Sequence, residues 1–113
     1  MTRILLLDDE AHILKALKRL LRGEDWLVDA FTEAENAIDA LRSNTYSVIV
    51  SDYKMPVMDG VTFLQFARQR QPDAIRMMLS GHGDRQSMIH AINRAEIYRF
   101  LSKPWEDYEI EAA

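Results

Sequence analysis

Five short apolar runs, at residues 3–7, 26–31, 48–52, 74–79 and 98–102, alternate strictly with stretches of helical spacing and are joined by short loops. Right-handed crossovers turn such an alternation into a parallel sheet with helices on both faces. Ile4-Leu5-Leu6-Leu7 and Val48-Ile49-Val50 are apolar throughout, which reads as strands buried on both faces. Asp29 interrupts the second run and places it nearer an edge.

Between these strands, residues 11–22 put Leu14, Leu17 and Leu21 on one helical face with Ile13 and Leu20 beside them. Lys15, Lys18, Arg19 and Arg22 line the other face, and Gly23 is the expected stop. Thr32-Glu33-Ala34-Glu35 has capping-box spacing and opens a helix to about Arg42. Residues 61–71 set Val61, Leu64 and Ala67 at core spacing before Gln71-Pro72-Asp73 ends the helix. Residues 85–95 form a fourth helix with Met88, Ile89 and Ile92 inward, and residues 105–113 begin a last helix without completing it.

The chain has 113 residues, enough for one well-buried core. At 48% hydrophobic and 28% charged residues it belongs among globular domains. No apolar run approaches the ~20 residues of a membrane span, and Met1-Thr2-Arg3-Ile4 has no signal-peptide pattern, so a cytoplasmic location is expected. Cys is absent, which excludes disulfides and thiolate metal sites. A net charge of −4 argues against direct nucleic-acid binding.

In a doubly wound sheet, residues just past each strand converge on one edge, where ligands bind in this architecture. Here those residues are Asp8, Asp9, Asp52, Ser80 and Lys103. Crowded carboxylates repel one another unless one is protonated or a cation binds. An all-oxygen set suits a hard divalent ion, Mg²⁺ (or Mn²⁺) rather than Zn²⁺. An ammonium and a hydroxyl beside a metal-bound carboxylate would hold a tetrahedral dianion and offset the charge of a transferring phosphoryl group. The constellation therefore reads as a carboxylate that accepts phosphate.

Asp8-Asp9, then Asp52 with Met55-Pro56 and Met58-Asp59-Gly60, then Ser80-Gly81, then Lys103-Pro104, together resemble the receiver domain of two-component response regulators over nearly the whole chain. The resemblance implies a flavodoxin-like, five-stranded sheet of order 2-1-3-4-5, with residues 1–113 forming a single receiver domain in the N-terminal part of a longer regulator. It implies that Asp52 is the phosphoacceptor and that Asp8 and Asp9 hold Mg²⁺ with it, the Lys54 backbone carbonyl adding a ligand. Ser80 would turn toward the phosphoryl group, Lys103 would pair with it, and the bond to Pro104 would be cis. The implied donor is a phosphohistidine on a sensor kinase or phosphotransfer protein, followed by slow self-dephosphorylation. Phe100, the aromatic three before Lys103, would complete the switch, and because it lacks a hydroxyl its coupling must be packing; Tyr98 is the other aromatic on that strand.

Lys54 and His82 occupy the two positions that tune acyl-phosphate hydrolysis in the family, and Lys54 is expected to obstruct the attacking water. His82 reads first as an exposed loop residue. The basic stripe of the first helix is a solvated face or, by resemblance, a kinase-docking surface. Residues 98–105 also resemble receivers that precede transcription-activator or HD-type phosphodiesterase output domains; a homodimer through the last elements is a further expectation. Two enzyme or binding readings compete. A haloacid-dehalogenase-like phosphatase wants a second Asp where Lys54 stands, and a flavodoxin-like nucleotide binder wants a phosphate loop where Asp8-Asp9-Glu10 stands. A degenerate receiver used only for docking would not need all the site residues.

Overall fold

The computed structural model describes residues 2–21, 26–80 and 99–102. The elements follow the expected alternation: β1 (Thr2–Leu7), α1 (Ala11–Leu21), β2 (Trp26–Phe31), α2 (Ala34–Ser43), β3 (Val48–Asp52), α3 (Gly60–Arg70), β4 (Ile75–Ser80) and β5 (Arg99–Ser102). The strands pair in parallel in the order β2-β1-β3-β4-β5, as the resemblance implied. The expected fourth helix and truncated last helix lie outside the described residues, as do Gly23, His82, Lys103 and Pro104.

Period-two alternation sorts the strands' side chains onto two faces. Leu5 and Leu7 of β1 join Ile49 and Met78 beneath α2 and α3, where Leu41, Phe63 and Leu64 are buried. Ile4 and Leu6 join Val50, Met77 and Leu79 beneath Leu14, Leu17 and Leu21 of α1. With α1 on one face and α2 and α3 on the other, β1 and β3 are enclosed on both sides, which is why their runs tolerate no polar interruption. Each such fully buried Leu or Ile contributes roughly 1.5–3 kcal/mol. β2 is half-buried and stands at the edge, as Asp29 suggested.

Asp29 is accommodated by a cluster at the amino-terminal end of the sheet. Arg3 approaches its carboxylate at 3.0 Å, and the Tyr46 hydroxyl donates to it at 2.7 Å. The Arg3 guanidinium also lies 5.4 Å from the centroid of the Tyr46 ring. Tyr46 is only 2% exposed; burial, and then the neighbouring Asp29 carboxylate, push its phenol up to about 12. Gln71, the C-cap of α3, ties this end together. Its amide nitrogen donates to the carbonyls of Leu41 (2.9 Å) and Asn44 (2.6 Å), and its side-chain oxygen accepts from the Tyr46 N–H (2.8 Å).

Three local expectations change. The N-cap of α2 is Glu33 rather than Thr32, and its side chain makes no capping hydrogen bond. β2 ends at Phe31, where its apolar run ended, and α2 starts at Ala34, one residue later than a Thr32 cap would set it. β4 is shifted by one residue to Ile75–Ser80, because Ala74 still belongs to the turn, donating its N–H to the Gln71 carbonyl at 3.2 Å. The buried face of α3 is also wider than Val61, Leu64 and Ala67 alone, since it includes Phe63 and Gly60.

Candidate functional site

β1 and β3 are neighbours in register, with Leu7 opposite Ser51, so the next residues, Asp8 just past β1 and Asp52 at the end of β3, stand side by side at the carboxyl edge of the sheet. Ladder hydrogen bonds continue past both strand ends. The Asp8 N–H donates to the Phe31 carbonyl at 3.1 Å, and the Tyr53 N–H donates to the Leu79 carbonyl at 3.0 Å. The two acids are thus carried on backbone held from both sides, which suits groups that must keep their geometry.

Asp8, Asp9 and Asp52 each bring a carboxylate oxygen within 4.8 Å of the others. Asp8 is fully buried and Asp52 is 6% exposed, whereas Asp9 is exposed. Asp8 accepts the Glu10 N–H at 2.9 Å, which orients the carboxylate and starts the turn into α1. Asp52 accepts the N–H of Tyr53 at 2.9 Å, and the Ser51 hydroxyl donates to the Asp52 carbonyl at 2.9 Å. Two unit charges at this separation repel by roughly 3–4 kcal/mol at an effective dielectric near 20. A divalent cation removes that repulsion, and a donor set of carboxylate oxygens without sulfur or imidazole fits a hard ion such as Mg²⁺.

The loop after Asp52 is fastened at both ends. Asp59 caps α3 by accepting the Thr62 N–H at 2.8 Å, and Gly60 donates its N–H to the Tyr53 carbonyl at 2.8 Å. Gly60 is buried directly against the Asp52 backbone, where a Cβ would collide with the Asp52 carbonyl oxygen. The Asp59-Gly60 step marked the start of a helix in the sequence, but this close approach, the reason that position excludes a side chain, was missed. Lys54 is exposed at the start of the loop.

Of the remaining expected site residues, Ser80 ends β4 opposite Ser102 of β5, which brings both strand ends to the carboxylate edge. Asp52 pairs with Leu79, so Ser80 stands one residue further along the sheet than Asp52. Phe100 pairs with Met78, two residues back from that edge. Lys103 follows Ser102 in the chain, outside the described residues. Among the described residues no helix is long and apolar enough to cross a membrane.

The geometry agrees with comparison to known proteins. The response regulator receiver domain profile matches residues 4–113. The hydrogenase transcriptional regulatory protein HoxA of Bradyrhizobium diazoefficiens is 38% identical over 91% of this chain, which spans 21% of that protein. The transcriptional regulatory protein FixJ of the same organism is 31% identical over 96% of this chain and 53% of its own length. The chain therefore spans about a fifth of HoxA and about half of FixJ. Among solved structures, the signal receiver domain of an HD domain-containing protein from Pseudomonas fluorescens Pf-5 superimposes with a TM-score of 0.92 at 36% identity, covering 98% of this chain and 89% of that one. An acid cluster at the carboxyl edge of a 2-1-3-4-5 sheet, matched along almost its whole length, makes this chain a member of the response regulator receiver domain family.

Proposed function

We propose that this receiver takes a phosphoryl group onto Asp52 from a phosphohistidine of a sensor kinase or phosphotransfer protein in the cytoplasm. The observation that carries the reading is the meeting of Asp8, Asp9 and Asp52 at the carboxyl edge of β1 and β3. An Asp52 carboxylate oxygen forms the new bond to phosphorus while the bond from phosphorus to the imidazole nitrogen breaks, and the imidazole recovers a proton from solvent. The Tyr53 N–H holds the Asp52 carboxylate in its rotation, so little reorientation is needed for in-line attack. Asp8, Asp9 and Asp52, with the Lys54 backbone carbonyl, would hold Mg²⁺, which when bound offsets charge on the transferring phosphoryl oxygens.

Lys103 pairs with a phosphoryl oxygen and Ser80 donates a hydrogen bond to another. Movement of Ser80, followed by repacking of Phe100, carries the change along β4 and β5 to an output domain. Residues 1–113 act as one receiver domain within a longer regulator, supported by the fraction of HoxA and FixJ that the chain spans. Incubation with acetyl phosphate and Mg²⁺ tests the reading. The expected result is stoichiometric gain of one phosphoryl group on Asp52, absent in Asp52→Asn. Multiple-turnover release of phosphate from phosphomonoesters would instead identify a phosphatase, and a protein never labelled would be a docking module.

A further inference from the structure

Between α2 and the loop joining β3 to α3 lies a groove of about 720 Å³, within the range that accepts a few side chains. Ile38 of α2 and Met55, Pro56, Val57 and Met58 of the loop give it an apolar lining. Val57 is 95% exposed, the largest exposure among the large apolar side chains described. Among the described residues the rim is charged in one sense: Asp9, Glu33, Glu35 and Asp39 face a single cation, Arg42. That cation is engaged already, 3.5 Å from Asp39 and 5.9 Å from the centroid of the Phe66 ring.

We propose that this groove docks a basic amphipathic segment of a partner protein, with a large apolar side chain beside Val57 and lysine or arginine facing Glu33, Glu35 and Asp39. Apolar lining supplies the affinity and the acidic rim selects the sign of the partner. An acidic segment or a nucleic acid is repelled by the same carboxylates. A second copy of this chain offering α1 has the right charge in Lys15, Lys18 and Arg19, but Leu14, Leu17 and Leu21 are buried in its own core and Ile13 and Leu20 pack against it, so no large apolar side chain of α1 stands exposed to insert. The groove also adjoins the acid cluster, because Asp9 belongs to both and Met55 lies three residues after Asp52. An occupant would therefore sense the state of the phosphoacceptor edge, although docking itself does not require phosphorylation.

The 113-residue chain, unphosphorylated and without metal, is titrated with two helical peptides that share one Leu pattern and carry either Lys or Glu at the polar positions. Methyl NMR follows Ile38, Met55, Val57 and Met58. The Lys peptide is expected to shift these methyls and to bind at least about tenfold more tightly than the Glu peptide. Glu35→Lys should weaken it several-fold and Val57→Asp should abolish it; Val57 is exposed, so Val57→Asp leaves the melting temperature unchanged, whereas Glu35 lies in the first turn of α2 and reversing its charge there lowers the melting temperature by a few degrees. Equal affinity for the two peptides, shifts on another face, no saturable binding, or binding indifferent to Val57→Asp would each overturn the proposal. Concentration-dependent shifts of the same methyls without peptide would assign the groove to a second copy and overturn it too. Acetyl phosphate labelling of Asp52 is measured on the chain without peptide, so its outcome stands or falls separately from these results.

Discussion

Gly60 presses its Cα against the backbone of Asp52: a Cβ there would lie 3.0 Å from the Asp52 carbonyl carbon and 3.1 Å from Tyr53 Cα, and would strike the carbonyl oxygen outright. Both neighbours are backbone, held by the β3–β4 ladder, so neither can swing aside. Gly60→Ala should cost about 1–3 kcal/mol in chemical denaturation, the range of overpacked sites. It should also slow acetyl phosphate labelling of Asp52 in the fraction that remains folded. An unchanged denaturation midpoint would show that the contact relaxes at no cost.

The carboxylate cluster predicts a metal-dependent melting temperature. Mg²⁺ at a hundredfold excess over its dissociation constant adds about 2.7 kcal/mol of stability. Asp8→Asn retains an acceptor for the Glu10 N–H while removing one buried charge, so the metal-free variant should melt at or above the parent. Its response to Mg²⁺ should largely vanish. A variant that still gains as much as the parent would remove Asp8 from the metal site.

Tyr46 predicts an alkaline transition. The folded phenol holds its proton up to about 12, whereas an unfolded tyrosine releases it near 10. Stability from this group is therefore complete below about pH 10 and disappears as pH rises toward 12, since only the unfolded chain then sheds the proton. Tyr46→Phe removes the 2.7 Å hydrogen bond to Asp29 and should cost about 1–3 kcal/mol at neutral pH, as for bonds to a charged group. The deficit should close across pH 10–12. A deficit that stays constant with pH would contradict the assigned bond.

Gln71 offers a test far from the acid cluster. Its side chain serves two carbonyls and one N–H in the turn between α2 and β3, so Gln71→Ala should cost roughly 2–3 kcal/mol by stranding them. Phosphorylation of Asp52, at the opposite end of the sheet, should proceed at the parental rate. Hydrogen exchange at Tyr46 N–H should accelerate, and protection equal to the parent would refute the bridging role.

Lys54 stands two residues beyond Asp52, the proposed acceptor, and is exposed. If its ammonium pairs with a phosphoryl oxygen and obstructs the in-line water, Lys54→Ala should shorten the lifetime of phosphorylated Asp52 by several-fold. Decay measured by loss of label, at equal Mg²⁺, decides the matter; an identical lifetime sinks the hypothesis.

Strand number, sheet class and the acid edge were readable from the chain because they depend on local signals: an unbroken apolar run, a helical repeat, an acid at a strand end. The inward faces of α1 follow Leu14, Leu17 and Leu21 as their spacing indicated. Asp29 marked β2 as an edge because one charge in a strand demands a solvated or paired position. What local pattern hides is contact between distant turns. Tyr46 and Gln71 sit in connecting segments, and only the folded arrangement shows that one is buried and the other bridges α2 to β3. Phe63 fell outside the narrow stripe assumed for α3, since a helix packed between a sheet and α2 buries more than one stripe. Thr32 satisfied the capping-box spacing, yet α2 begins one residue later, with Glu33 at its N-cap.

β1 lies between β2 and β3, so the earliest of these five strands to be synthesised becomes an interior rail. A nascent chain that has emerged only through α2 has β1 with one edge covered and the other bare. Its closure waits for Val48–Asp52 to leave the ribosome. Vectorial synthesis thus delivers the Asp8 and Asp52 halves of the acid edge at separate times, and a chain stalled before β3 would expose a β1 rim open to pairing with foreign strands.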